Sequence, residues 1–218
     1  MRVADTFSRI DIEAIEAAVR ETEAHSAGEI VPYAVDHSDP YRDAAWMAGT
    51  LGSILAALAA ALFYEVTDTW VGHPTHWIGF PALAGAAVGY LLGAAVPAVQ
   101  RRLIPAGVME HRVHQRALAA FVEQEVFRTR DRTGILLFVS LLERRAVVLA
   151  DSGITARVAQ DEWDAVVADI VAGMRRGEPG PALAAAIRRC AGLLATHGVA
   201  RRPDDRDELS DELRRKPE

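Results

Sequence analysis

This sequence has no second cysteine. Cys190 stands alone, which excludes an intrachain disulfide and any metal site built from several cysteines. Lysine is nearly missing as well: Lys216 is the only one among 24 basic residues. With alanine abundant, that bias points to a GC-rich genome rather than to chemistry. The 30 acidic residues leave a formal net charge of -6, which gives no support for a nucleic-acid partner. No serine stands in a Gly-x-Ser-x-Gly elbow and no glycine-rich loop leads into a lysine. Cys190 lacks the arginine loop that a cysteine phosphatase places after its nucleophile. Any hydrolysis therefore has to be metal-assisted. No cleavable signal peptide is expected, because Met1 to Ile10 is mixed polar and Ile12 opens an acidic amphipathic helix.

Charge is also missing from two long stretches, about Ala44 to Tyr64 and about Trp77 to Gln100, neither of which contains Asp, Glu, Lys, Arg or His. Each has roughly the 20 residues needed to cross ~30 Å of hydrocarbon as a helix. The expectation is a transmembrane hairpin at 44–100, with spans at about 44–64 and 77–100, the first acting as its own insertion signal. Arg42 precedes the first span, and Arg101, Arg102 and Arg112 follow the second. The connection carries Glu65 and Asp68 but no Lys or Arg. The positive-inside rule then puts both termini in the cytoplasm and the protein in a bacterial cytoplasmic (inner) membrane. Trp46, Tyr64, Trp70 and Trp77 fall near the span ends, where amphipathic rings favour the interface. Gly85, Gly89 and Gly93 recur every four residues in the second span, as do Gly49, Ser53 and Ala57 in the first. Such ladders let helices approach closely in lipid. A transport or proton-relay pathway would need ionisable groups along the spans, and no Asp, Glu, Lys, Arg or His lies in them.

An even number of spans returns the chain to the side it left. Residues 1–43 read as one helix, with Ile12, Ile15, Val19 and Thr22 at helical spacing, Asp11 at its N-cap and Gly28 as its terminator. One strand follows, Ile30–Val35, where Pro32 argues for an edge or bulged position. One helix and one strand cannot stand alone. They must complete the domain that resumes over 101–199. There a helix runs from about Glu110 to Arg128, with Val113, Ala117 and Phe121 on one face. The strands Ile135–Ser140 and Ala146–Ala150 are joined tightly enough to pair antiparallel. A helix with Trp163, Val167, Ile170 and Met174 on one stripe comes next. A break at Gly177–Pro181 and a second stripe, Leu183, Ile187, Cys190 and Leu194, complete it. The fold class expected is α/β: a small mixed β-sheet flanked by helices, interrupted by a two-helix transmembrane hairpin. The charged tail, 200–218, has little to bury and reads as flexible or docked only at its leucines.

The run from Thr129 through Thr133-Gly-Ile-Leu-Leu-Phe-Val-Ser-Leu-Leu-Glu-Arg-Arg-Ala-Val-Val-Leu-Ala-Asp-Ser-Gly-Ile154, followed by Trp163, resembles the TPM-domain family. So does Ser26-Ala-Gly-Glu-Ile-Val31 after an acidic helix, and 204–213 resembles the tail of that family's bacterial membrane-anchored branch. The resemblance covers nearly the whole non-membrane chain. It implies a small α/β sandwich and two kinds of function. Some members are described as acid phosphatases or metal binders, and others as accessory subunits of membrane complexes. Many members keep the domain outside the cytoplasm, whereas the charge distribution here places it inside.

Chain direction sorts the polar residues into two groups. The first strand's Asp36 end feeds the first span, so its Glu29 end points away from the membrane. The strand at Ile135 runs back toward the membrane and the next one leaves it. With six-residue strands at roughly 3.3 Å per residue, the sheet's ends lie on the order of 20 Å apart. Asp36 and Asp151 therefore cannot share a ligand. The distal group is Glu29, Asp131 and Asp151, with Arg132 and Ser152 nearby. These are either ordinary loop-end polar residues or oxygen ligands for a divalent cation such as Ca²⁺ or Mg²⁺, with Arg132 steadying a bridged phosphate. The proximal group is Asp36, His37, Asp39, Glu143, Arg144 and Arg145. Arg144 and Arg145 either solvate a hairpin turn or meet lipid headgroups or a protein partner. His111 and His114, three apart on a helix, have a spacing that suits zinc. Without cysteine or a further histidine close in sequence, they read as a solvated face, as do His73 and His76. The leading expectation is a membrane-anchored TPM-like domain acting as an accessory or assembly factor for membrane proteins. Its partners are the lipid bilayer and a membrane protein, with no nucleic acid. The alternative is a divalent-metal-dependent phosphatase.

Overall fold

The computed structural model describes residues 3–67, 74–199, 201 and 208–216. Trp70 and His73 lie outside them. The chain forms two compact units, one made of Met1–Asp39 together with Glu110–Glu218, the other of Pro40–Met109. In chain order the elements are α1 (Val3–Thr6), α2 (Arg9–Glu23), β1 (Glu29–Val35), α3 (Arg42–Thr67), α4 (Pro74–Ala95), α5 (Pro97–Leu103) and α6 (Ala106–Glu123). They continue with β2 (Gly134–Ser140), β3 (Arg145–Ala150), α7 (Ser152–Thr155), α8 (Gln160–Arg176), α9 (Pro179–Thr196) and β4 (Arg214–Lys216).

The first unit is built on a four-stranded mixed sheet in the order β3-β2-β1-β4. β1 runs parallel to β2, with Glu29 opposite Gly134 and Val35 opposite Ser140. β2 and β3 are antiparallel. Every residue of β1 and β2 is buried, because both faces of the sheet are covered. Ile30, Ala34, Ile135, Leu137 and Val139 face a core shared with Ile15 and Val19 of α2, Trp163 and Ile170 of α8, and Leu183 and Ile187 of α9. The alternate residues Val31, Tyr33, Val35, Leu136 and Phe138 face a second core with Val113, Ala117 and Ala120 of α6. Strand periodicity thus distributes one apolar run between two cores.

Several local details differ from the sequence expectation. Ser8, not Asp11, caps α2. Its Oγ accepts the Asp11 N–H at 3.1 Å, while the Asp11 carboxylate accepts the Ser8 N–H at 2.9 Å, a reciprocal capping box. Gly28 does not end that helix, which stops at Glu23. Its role is space, since a Cβ there would lie 2.6 Å from Leu194 Cδ1. β1 is not an edge strand, because β4 pairs with Tyr33–Val35. Pro32 is tolerated because that pairing stops one residue short of it. Ile30, the donor two residues earlier on the same side, gives its N–H to the Glu23 carboxylate at 2.9 Å. The tail does more than dock its leucines. Leu213 is buried and Leu209 packs against the second core, but Arg214–Lys216 also adds a parallel strand.

The second unit contains two helices long and apolar enough to cross a membrane, Arg42–Thr67 and His76–Ala95. Only 11% and 6% of their most apolar windows are buried, unlike the core helix of a soluble protein. They pack on each other through small residues. A Cβ on Gly89 would strike the Ala48 carbonyl, one on Gly85 would strike Gly52 and Ala56, and one on Gly93 would lie 2.8 Å from the Ala44 oxygen. The expected glycine ladder of the second helix is therefore the contact line. On the first helix the line runs through Ala45, Ala48, Gly52 and Ala56; of the expected Gly49, Ser53 and Ala57, Gly49 lies against it. Ser53 instead lines a surface groove of about 650 Å³ with Trp46, Thr50, Ala86 and Tyr90.

Candidate functional site

Register places the distal residues at one end of the sheet. Glu29 starts β1 opposite Gly134, and Asp151 follows β3 with its N–H on the Gly134 carbonyl at 2.9 Å. Two strand spacings, roughly 10 Å, separate their backbones. The loop carrying Asp131 and Arg132 is pinned beside them. The Gly153 N–H donates to the Arg132 carbonyl at 2.9 Å, and a Cβ at 153 would strike the Asp131 carbonyl.

These side chains have structural work. The Glu29 carboxylate, 6% exposed, accepts the N–H groups of Glu208 at 3.4 Å and Leu209 at 3.3 Å. Asp151 caps α7, with its Oδ1 accepting the Ser152 N–H at 2.6 Å. Its Oδ2 lies 2.9 Å from Arg132 Nε, a charge contact without hydrogen-bond direction. Arg132 also donates to the Phe127 carbonyl at 3.2 Å and lies 5.7 Å from that ring's centre. Asp131 is exposed. Among the described residues no group of three or more His, Cys, Asp or Glu side chains is arranged to hold a metal ion. His111 and His114 sit on the exposed side of α6, and His76 is exposed beside Phe80.

The opposite end of the sheet gathers the other group. The β2–β3 turn is tied to the chain leaving β1: Leu141 donates to the Val35 carbonyl at 3.1 Å, and Leu142 to that of Asp36 at 2.9 Å. Buried Glu143 accepts the Ser38 N–H at 2.8 Å and the hydroxyl of Ser140, which itself accepts from Ser38 Oγ at 2.9 Å. Asp36 accepts the Val3 N–H, and Asp39 pairs with Arg112 at 3.0 Å. His37 Nδ1 is buried without a hydrogen-bond partner. Arg145 pairs with Glu110 at 3.3 Å, whereas Arg144 is exposed with a left-handed φ of 52°. Asp36 and Asp151 fall at opposite ends of the sheet.

Among solved structures, the fold is similar to the NMR structure of the BA42 protein from the psychrophilic bacterium Bizionia argentinensis. The TM-score is 0.59 over 99% of each chain, at 16% sequence identity. That likeness shows the fold. No protein-family model matches the sequence, and a search of curated proteins found no match.

Three polar residues that sequence reasoning left aside are drawn into these ends by the fold: Ser38, Glu23 and Asp211. Burial pushes the Glu23 carboxyl up to about 9, and the nearby Glu29 and Asp211 carboxylates push the same way. Nothing in the spacing of Glu23 marks it, because its neighbours come from β1 and from the far tail. Cys190 is fully buried on its stripe, and burial pushes its thiol up to about 12, that of an inert core residue.

Proposed function

We propose that this chain is a membrane-anchored, TPM-like α/β domain that serves as an accessory or assembly factor for membrane proteins of a bacterial cytoplasmic membrane. The observation that carries this reading is the outward-facing apolar surface of α3 and α4. Leu55, Leu58, Leu62, Phe63, Leu83 and Leu91 are all exposed, while glycine and alanine fill the line between the helices. An aqueous surrounding would penalise that surface by about 25 cal/mol for each Å² of apolar area, and a hydrocarbon surrounding would not. The arginines flanking the spans favour cytoplasmic termini. The turn bearing Arg144 is bonded to Val35, Asp36 and Ser38, where the chain leaves β1. Arg144 and Arg145 then serve as contacts for anionic headgroups or for the partner protein.

The metal-dependent phosphatase is the weaker reading, since Glu29 and Asp151 already hold backbone N–H groups and Asp151 already holds Arg132. The deciding experiment combines alkaline carbonate extraction of native membranes with photo-crosslinking from position 144. Retention in the pellet and capture of a membrane protein are expected. Release of the intact chain by carbonate overturns the anchor. Metal-dependent phosphate-ester turnover that is lost in Asp151→Asn would move the assignment to the phosphatase.

A further inference from the structure

Helix α6 has a face that the described residues leave uncovered. Its inward side, Val113, Ala117 and Ala120, is spent on the second core. At about 3.6 residues per turn, the opposite side holds His111, His114, Gln115, Leu118 and Val122. All five are exposed, Leu118 by 47% and Val122 by 62%. The charged residues of the helix stand to either side of this stripe and have partners within the chain. Arg112 pairs with Asp39 at 3.0 Å, and Glu110 with Arg145 at 3.3 Å. Arg116 donates to the Tyr33 hydroxyl at 3.1 Å and pairs with Glu123 at 3.5 Å. The outward stripe therefore carries no fixed charge, with two imidazoles at one end and two aliphatic side chains at the other.

We propose that this stripe is one half of a zinc-bridged dimer, in which His111 and His114 from two copies of the chain together hold one Zn²⁺. A structural zinc site takes four ligands in a tetrahedral array, at about 2.0–2.1 Å for histidine nitrogen. One copy offers two imidazoles a turn apart, and the described residues bring no third His, Cys, Asp or Glu to them. The site is incomplete without a second chain. The spacing 111, 114, 118 is the three-then-four alternation of a coiled-coil seam. Two α6 helices meeting in parallel about a two-fold axis put the four imidazoles in adjacent layers and Leu118 against its mate in the next. An antiparallel meeting at the histidines would carry each Leu118 away from its mate, so the parallel one uses the whole stripe. Neutral imidazole suits Zn²⁺ as a ligand, and the stripe sets no fixed positive charge against the ion. Leu118 and Val122 alone cover far less than the roughly 800 Å² per partner of a standing interface, so pairing on this face waits for the metal. This inference does not depend on the reading of function above.

The test uses the full chain without a histidine tag, purified in detergent, stripped of metal by a chelator and titrated with Zn²⁺ alone. Light scattering is expected to show the protein mass doubling as zinc binds, with saturation at one ion for two chains, and excess chelator is expected to reverse it. A nitroxide on Val122→Cys reports the geometry, since buried Cys190 stays unlabelled under native conditions. Dipolar coupling is expected only with zinc, at the short distance that parallel helices about 8–10 Å apart impose. His111→Ala and His114→Ala should each abolish the doubling, while His25→Ala, exposed elsewhere, keeps it. Leu118→Glu leaves all four imidazoles in place and should raise the zinc needed for half-doubling several-fold, a shift that a site within one chain would not show. The proposal is overturned by zinc held one per chain at unchanged mass, by doubling that survives in both histidine variants, or by doubling already complete in chelator. Doubling without the short label distance also overturns it. So does a mass that zinc never changes, which would leave the face to lipid or detergent.

Discussion

Two helix pairs in this chain solve opposite packing problems. In α8 and α9 the large apolar residues point inward: Trp163, Val166, Ile170 and Met174 on one, Leu183, Ile187 and Leu194 on the other, all buried against the sheet. In α3 and α4 the contact line is glycine and alanine, and the large residues point out. A helix pair in water gains most by hiding its bulk. A pair surrounded by hydrocarbon gains nothing from hiding it and instead draws stability from close backbone approach. On the proposed membrane reading, the same residue types carry different energies in the two pairs.

That contrast can be broken at single positions. The largest expected effect is Ile187→Ala, which should lose about 2–5 kcal/mol of sheet-unit stability in denaturant titrations. The equivalent truncation Leu58→Ala should stay within about 0.5 kcal/mol. Equal losses at the two sites would erase the distinction. Leu58→Arg should cost about 2.5–3.5 kcal/mol of membrane insertion, read from the inserted fraction in a translocation assay. An unchanged fraction would mean that α3 does not lie in lipid. Gly89→Ala drives a methyl against the Ala48 carbonyl and should loosen the hairpin by about 1–3 kcal/mol, measured by energy transfer between labels on α3 and α4.

Dependence of stability on pH should belong to the sheet unit, since neither apolar run carries an ionisable side chain short of tyrosine. Glu23 holds its proton more tightly folded than unfolded, so the stability it contributes is complete below pH 4.5 and is lost as pH rises toward about 9. Glu23→Gln should accordingly stabilise the protein by on the order of 1–2 kcal/mol at about pH 8 and have no effect below the unfolded value, as read from melting temperature against pH. The smallest effect expected is for Arg144→Ala, about 1 kcal/mol weaker binding to vesicles containing anionic lipid and none to neutral ones.

Much of the fold was legible because periodicity reports burial directly. The stripes Trp163–Met174 and Leu183–Leu194, the antiparallel β2–β3 pair and the two charge-free runs are each a property of a continuous segment. What escaped was reciprocal or remote. The cap of α2 lay with Ser8 because two residues three apart satisfy each other, and Gly28 mattered for Leu194, 166 residues away. The distal carboxylates were correctly gathered at one end of the sheet by chain direction, but direction says nothing about which oxygen is already occupied. Glu29 is filled by the backbone of the tail, a segment whose charge pattern predicts flexibility or docking only at its leucines.

Residue order alone dictates where apolar surface goes: helical and strand stripes for a two-faced sheet, and two runs without charge. Those follow from local chemistry repeated at a fixed period. It took the folded chain to set β4 beside β1, to lay the Ile30 N–H on Glu23, and to make Asp151 cap a turn of helix beside Arg132. Contacts of that kind depend on one geometry bringing distant side chains within about 3 Å, and no pattern of neighbours along a chain encodes such a distance.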